Sequence, residues 1–407
     1  MYITSEGDTF ATVSRREYGT EEHAEIIRRA NPGIEEPLGA GVSLVVPALS
    51  GAPVDNSVVT GQVSDDEISL LINKKRFRLW QSMNIARTID APDTISITAP
   101  FEPDDAAMRE AFRPLSFNPM SVSVGRELIF NGTMIDPVPS TDQTDRMISV
   151  SGYALPGVLN DCTVSASDYP VQFDNADLRT IVNQLIEPFG LSVVFDGDAG
   201  APFERVAIQP AERILSFIIK LAQERGLLVA STARGDLRFW KGVTTGLPVA
   251  RLEEGEPPLL SVAPTFDSQS FYSHVTGVQW VITGLLGNQY TQKNTLVSGA
   301  FRPITFNVTD TQGGDLQSTV EAKTGRMVAN AVTYSVPVST WRDSRGKLWE
   351  PNTLITLRAP GAMVYNEYTF LIKSVSLSAT PTERTALLEL VLPGAYTDNL
   401  PESMPWD

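Results

Sequence analysis

Residues 174–195, DNADLRTIVNQLIEPFGLSVVF, and 210–230, PAERILSFIIKLAQERGLLVA, read as two consecutive helix-glycine-strand units in a chain whose flanks read as strands. In the first unit Leu178, Ile181, Val182, Leu185 and Ile186 recur with a period near 3.6, which places them on one helix face. Asp174 or Asn175 is expected to cap that helix, Gly190 to end it, and Leu191 to Phe195 to leave as a strand. In the second, Ile214, Phe217, Ile218 and Leu221 share a face, Gly226 stops the helix, and Leu227 to Ala230 is the strand. Residues 161–249 therefore read as an α+β insert domain.

On both sides the apolar period drops to two, the period of a half-buried strand. In 66–160, Ile68, Leu70 and Ile72 alternate. Val122 and Val124 lead into a hairpin turn at Gly125-Arg126-Glu127, with Leu128 and Phe130 expected on the same face. In 250–400, three sets alternate: Val278, Trp280, Ile282; Tyr368, Phe370, Ile372; and Ala386, Leu388, Leu390, Leu392. After Ile372 the apolar parity slips to Val375 and Leu377, as at a bulge or a strand that changes sheets. A helical insertion is expected near 316–332, a linker over 51–65 and a short tail at 401–407. The fold class is mainly β with α+β parts.

Composition excludes several classes. With 407 residues, 42% of them apolar, there is material for several cores, but no apolar run approaches the roughly 18 residues of a membrane helix. The most apolar candidate, Ile214 to Leu221, contains Lys220, and no signal peptide is read before Tyr2. The single cysteine, Cys162, rules out an internal disulfide, permits assembly in a reducing cytosol, and is expected to be a small buried apolar residue. Net charge is −16, from 32 basic and 48 acidic residues, and no basic run exceeds Lys74-Lys75-Arg76. Tight nucleic-acid binding needs clustered Lys and Arg, so it is disfavoured, whereas an acidic wall lets DNA pass without holding it.

Catalytic groups are equally scarce. His23 and His274 lie in no metal-ligand spacing, and no nucleophile elbow or phosphate loop is present. Of the carboxylate pairs, Asp104-Asp105 suits a helix start and Asp196 with Asp198 a Gly-rich turn. Arg234-Gly235-Asp236 reads as a hairpin tip rather than an adhesion tripeptide. The expectation is no catalytic residue, no metal and no cofactor.

The first 50 residues form a unit of their own. Tyr2-Ile3-Thr4 and Ser43 to Val46 are short β runs, Asp8 or Thr9 can cap a helix ended by Gly19, and a second helix from about Glu22 to Ala30 stops at Asn31-Pro32-Gly33. With Gly7-Asp8-Thr9, Tyr18-Gly19 and Asn31-Pro32 at these spacings, 1–50 resembles a small β-α-α-β LysM module. That resemblance implies either a ligand of N-acetylglucosamine polymers, hence peptidoglycan, or a docking site for a protein neighbour. Its motif residues are Gly7, Asp8, Thr9, Tyr18, Gly19, Asn31 and Pro32.

The longer part carries a second set of marks in serial order. They are Trp80-Gln81-Ser82 with Arg87-Thr88-Ile89-Asp90; Val122 to Gly125 with Leu128 to Gly132; Ser151-Gly152-Tyr153 with Leu159 to Cys162; Glu212 with Leu221 to Leu228 and Gly235-Asp236-Leu237; and Trp341, Gly346 to Trp349 and Pro351-Asn352. Together they resemble the tail-hub proteins of Mu-like contractile-tailed phages, also described as late-control D-like. The resemblance implies two tube-type β-barrel domains flanking the insert, in a homotrimer whose ring joins the tail tube protein to the central spike protein. It further implies a virion tail baseplate protein assembled in the host cytoplasm, with baseplate wedge or peripheral proteins as neighbours and DNA as passing cargo. A contractile bacteriocin or secretion-system hub shares these features. A LysM-anchored peptidoglycan-binding or hydrolysing tail protein is the other alternative.

Overall fold

A computed structural model describes residues 2–407 apart from 48, 50–66, 143–144, 281–285, 298, 309–315, 395 and 397–402. The expected linker 51–65, part of the expected tail, and Ile282 lie outside the described residues. The N-terminal unit runs β1 (Tyr2–Ile3), α1 (Phe10–Tyr18), α2 (Ala24–Arg29), β2 (Ser43–Leu44), with β1 and β2 antiparallel. Phe10, Val13, Ile27, Leu38 and Leu44 fill its core.

Strands β3 (Ile68–Ile72), β4 (Lys75–Phe77), β5 (Ser82–Thr88) and β6 (Thr94–Pro100) follow, then α3 (Ala106–Ala111), capped by Asp105. Next come β7 (Pro119–Val124), β8 (Glu127–Thr141) and β9 (Arg146–Ala154). The β7–β8 turn is two residues, Gly125-Arg126, because Glu127 already pairs with Val124. A register shift between Val122 and Ser123 corrects the expected face: Ile129 and Phe130 are both buried, while Leu128 is only partly so. The extra residue of the bulge turns two neighbours toward the core in succession.

The insert contains α4 (Val158–Asp161), β10 (Gln172–Ala176), α5 (Leu178–Ile186), β11 (Val193–Phe195), β12 (Phe203–Ala207), α6 (Ile214–Glu224), β13 (Leu228–Ser231) and β14 (Leu237–Trp240). Asp177 caps α5, with its carboxylate 2.7 Å from the Thr180 amide; Asp174 and Asn175 instead belong to β10. That expectation failed because several short polar residues precede the helix, and only pairing of β10 with β12 decides which is free to cap. Leu178, Ile181, Val182 and Ile186 pack with Ile214, Phe217, Ile218 and Leu221 in one buried cluster, as their periodicity requires. Cys162 is half-buried at the end of α4 rather than in a core, and partial burial with the neighbouring Asp161 raises its thiol above its ordinary range.

After the insert come β15 (Arg251–Glu253), β16 (Ala263–Phe266), β17 (His274–Trp280), β18 (Leu286–Lys293), β19 (Pro303–Asn307), α7 (Leu316–Ala331), β20 (Val332–Val338), β21 (Leu354–Ala359), β22 (Val364–Ala379) and β23 (Arg384–Val391). The expected helical insertion is larger than a helix, since β17, β18 and β19 form a separate three-stranded sheet against which α7 packs.

Both flanking β regions share one sheet, in the order β16-β20-β23-β22-β5-β6-β9-β8-β7-β3-β4, with β21 and β15 attached to β22 off this path. The join is β22 with β5, antiparallel, Ser374 to Ala379 against Thr88 to Met83. Here the slip after Ile372 finds its cause. A bulge between Ile372 and Ser374 separates the part of β22 paired with β21 from the part paired with β5. A single buried cluster, including Ile85, Ile97, Val150, Val336, Leu377, Leu388 and Leu390, lies under the sheet.

The insert is fastened where both β regions meet, by Ile89, Leu228, Ala230, Trp240, Leu354, Leu371 and Val391. Trp240 Nε1 donates to the Ile89 carbonyl at 2.8 Å, and the Asp93 amide donates to Ser231 Oγ at 2.8 Å. Arg87 Nε lies 3.5 Å from Asp93 Oδ2, with both side chains nearly fully buried. Burial lifts the Asp93 carboxyl to about 6, while Arg87 and Ser231 pull it partly back and Glu350 adds to the rise. The folded chain thus keeps a proton that the unfolded chain gives up, so this group's contribution is gained as pH falls through 6 and lost as pH rises. In thermal melts between about pH 7 and pH 5, Asp93→Asn is expected to flatten the stability change by about 1 kcal/mol. An unchanged slope would sink the assignment.

Candidate interaction surfaces

The side of the shared sheet away from the core is a field of small polar side chains. One cross-strand row runs Thr385, Ser378, Asn84, Ser96, Ser151, Asp136 over β23, β22, β5, β6, β9 and β8, each residue directly opposite the next. Parity is the cause. Met83, Ile85, Ile95, Ile97, Val150 and Leu377 point to the core, so their neighbours in sequence point away. Asn84 Nδ2 donates to Ser376 Oγ at 2.7 Å and Ser378 Oγ at 2.9 Å, tying the two β regions at their seam. Asp136 is the only charged member of the row, and the nearby Glu389 is paired with Lys373 at 3.0 Å. Two shallow hollows, about 340 and 190 Å³, lie along this face on either side of Asn84 and Ser96. Hydroxyls and amides wet the surface but offer no fixed cation to hold a phosphate. In the sequence the signal for this face is the parity of Ser, Thr and Asn in β5, β6 and β9, set against the apolar residues that alternate with them.

The N-terminal motif residues come together as framework. Gly7 takes a left-handed turn (φ +87°), and Asp8, nearly buried, accepts from Tyr2 OH at 2.8 Å and the Ser5 amide at 2.7 Å. Thr9 caps α1 in a reciprocal box with Thr12, and Gly19 ends it at φ +79°. Tyr18 OH donates to the Pro47 carbonyl at 2.5 Å. Asn31 clamps α2 to the chain after β2, giving its amide to Ile27 O and Val45 O and accepting from Val45 N, each at 2.7 Å. Pro32 is exposed. The unit leans on the rest of the chain through Arg29–Glu187 and Glu17–Lys74, both 3.3 Å, and through Leu49, which covers Gly190. Ile3 and Val45 remain open to solvent.

The titratable groups that could carry chemistry have structural partners. Asp196 is ion-paired with Arg238, His23 precedes α2 edge-on to Tyr18, and His274 bonds Ser273 at 3.0 Å. Asp236 is buried and accepts from Thr232 Oγ1 at 2.7 Å, so the 234–236 tripeptide cannot present its carboxylate. Gly235, at φ +89°, is required by the turn, and a Cβ there would come 2.8 Å from Leu155. Among the described residues no group of three His, Cys, Asp or Glu could hold a metal, and no helix is long and apolar enough to cross a membrane.

Residues 156–241, from just before α4 to the end of β14, match the family described as baseplate hub protein gp44-like, second domain. Over 311 residues the chain is 22% identical to the baseplate hub protein gp44 of Escherichia phage Mu, covering 72% of this chain and 79% of that one. The 43 kDa tail protein of prophage MuSo2 from Shewanella oneidensis has the same fold, with a TM-score of 0.70 at 23% identity, over 81% of this chain and 99% of that one. A tail protein from Neisseria meningitidis MC58 gives 0.69 at 17% identity, over 81% and 98%. The chain is thus a relative of the Mu baseplate hub protein, with a gp44-like second domain at 156–241.

Proposed function

We propose that this chain is the baseplate hub of a Mu-like contractile tail, a homotrimer whose ring joins the tail tube to the central spike and passes DNA during injection. The carrying observation is the single sheet that unites both β regions and shows a nearly uncharged polar face along its length. Two β regions per chain, repeated in three copies, supply six similar segments, which suits a ring between a hexameric tube and a trimeric spike. The face then lines the lumen, where hydroxyls and an acidic balance let DNA slide. The likeness to the Mu hub protein supports the same role. That role asks for no catalysis, and in this reading the chain assembles in the host cytoplasm and ends in the virion baseplate. The N-terminal unit, fixed against the insert by α2, offers its Ile3 and Val45 side to neighbouring baseplate proteins.

Electron microscopy of the purified chain tests the ring: a three-fold particle with a central hole is expected, and a chain that stays monomeric, even with tail proteins added, would sink the reading. Removing residues 1–50 is expected to leave the ring intact and stop baseplate completion. If the truncated chain completes baseplates and only loses retention on purified peptidoglycan, the unit is a glycan binder instead.

A further inference from the structure

The shared sheet ends at β4 on one side and β16 on the other, and neither edge is built for strand pairing. β4 has three residues, two of them Lys75 and Arg76. In β16 the Asp267 amide bonds the Ala331 carbonyl, so by alternation Pro264 and Phe266 turn their main chain outward, and Pro264 has no N–H to give. Side chains, however, make a complementary pair of features at these ends.

Beside β4, the loop after α3 holds Leu115 83% exposed and Phe117 58% exposed, at φ +61° and +49°. Bulky side chains adopt such backbone only when the surroundings impose it. Here they do: Ser116 Oγ bonds the Arg113 carbonyl at 2.7 Å, and Asn118 Nδ2 bonds the Ala111 carbonyl at 2.9 Å. Phe112 packs edge-on to Phe77 of β4, and the Asn73 amide bonds the Pro119 carbonyl, fixing the loop to that end of the sheet. The result is a preset apolar knob flanked by exposed Arg113.

Beside β16 lies a cavity of about 290 Å³, walled by Phe266, Phe271, Met363, Met404 and Trp406, with Asp267 in its wall. Trp406 meets Phe266 edge-on at 5.3 Å, and Tyr368 OH holds the Ser403 carbonyl at 2.9 Å, so 403–407 forms one side. Knob and cavity sit at opposite ends of one sheet, match in apolar character and carry opposite charge beside them. A knob at one end of the sheet and a hole at the other suit identical chains joined head to tail, an arrangement that gives a ring when the rotation closes.

We propose that copies of this chain join head to tail through side chains, Leu115 and Phe117 of one entering the cavity beside β16 of the next, with Arg113 facing Asp267. This rests on the hub reading and names its contact. In the full chain with Cys162→Ser, Leu115→Cys combined with Met363→Cys is expected to give covalent dimers and trimers with a short bis-maleimide, while either substitution alone gives single chains. Leu115→Glu with Phe117→Glu should reduce the native mass by light scattering to that of one chain, leaving the circular dichroism spectrum and Tm unchanged. A parent oligomer that survives the two glutamates, without cross-linking of the cysteine pair, overturns this contact and leaves the ring standing. Cross-linking by Leu115→Cys alone would place knob against knob and also overturn it. A parent chain that is monomeric at every concentration removes both the contact and the ring.

Discussion

Replacing Asn84, Ser96 and Ser151 together by lysine is expected to leave particle assembly intact while cutting DNA delivery by about a hundredfold or more. The three lie side by side on β5, β6 and β9, on the face away from the core. Their side chains are at least partly exposed, so lysine stems can extend into solvent without disturbing Ile85, Ile97 or Val150 beneath. Each lysine adds a phosphate contact to a surface that has none from this row, and every copy in a ring adds the same set. Binding that depends on released counterions weakens steeply with salt, so delivery should recover partly at higher ionic strength. The measurement is infectious titre per assembled particle, with Asn84→Gln, Ser96→Thr and Ser151→Thr as the neutral control. Equal titres for the lysine variant and its control would remove this face from the path of DNA.

Trp341→Ala is expected to cost about 3–5 kcal/mol in the second β region. The indole is nearly fully buried, and its Nε1 donates to both Ser378 O and Thr385 O at 2.9 Å, closing the far end of the β22–β23 hairpin. Alanine leaves a cavity, and two carbonyls lose a donor. Ser378 also faces Asn84, so the loss reaches the seam between the β regions. A Tm lower by roughly 6–15 °C is expected for a unit of this size, followed by circular dichroism, with Trp341→Phe falling in between. A shift of about a degree or two, well below that range, would mean the loop is dispensable. The same loop holds Trp349, donating to Thr340 O at 2.9 Å, and Asn352, which bonds Lys241 O and Val243 N at the insert. Of these marks of the hub resemblance, Asn352 fastens one unit to another, while Trp341 and Trp349 close the second β region on itself.

Local readings succeeded where a single period or a cap settles the matter. Leu178 to Ile186 and Ile214 to Leu221 each commit one face to a core, whatever that core proves to be. Gly19 and Gly190 end their segments in left-handed backbone, as glycine allows. Readings failed where a neighbour decides. Asp177 rather than Asp174 caps α5 because β10 is consumed by β12, and Ile129 joins Phe130 in the core because a bulge breaks the parity. Leu115 and Phe117 have no pattern to betray them, since their exposure comes from the loop's bonds to α3.

Local spacing and side-chain chemistry are enough to fix the two helices of the insert, the β character of its flanks, the scarcity of catalytic groups and the slip in β22. That the slip hands one strand from β21 to β5, bringing Asn84 to Ser376 across 292 residues, follows from long-range pairing alone. The same pairing brings the Ser and Thr parities of separate strands into rows on one face. Cross-strand register is set by which strands meet, and pairing between segments so far apart leaves no periodic trace in either one.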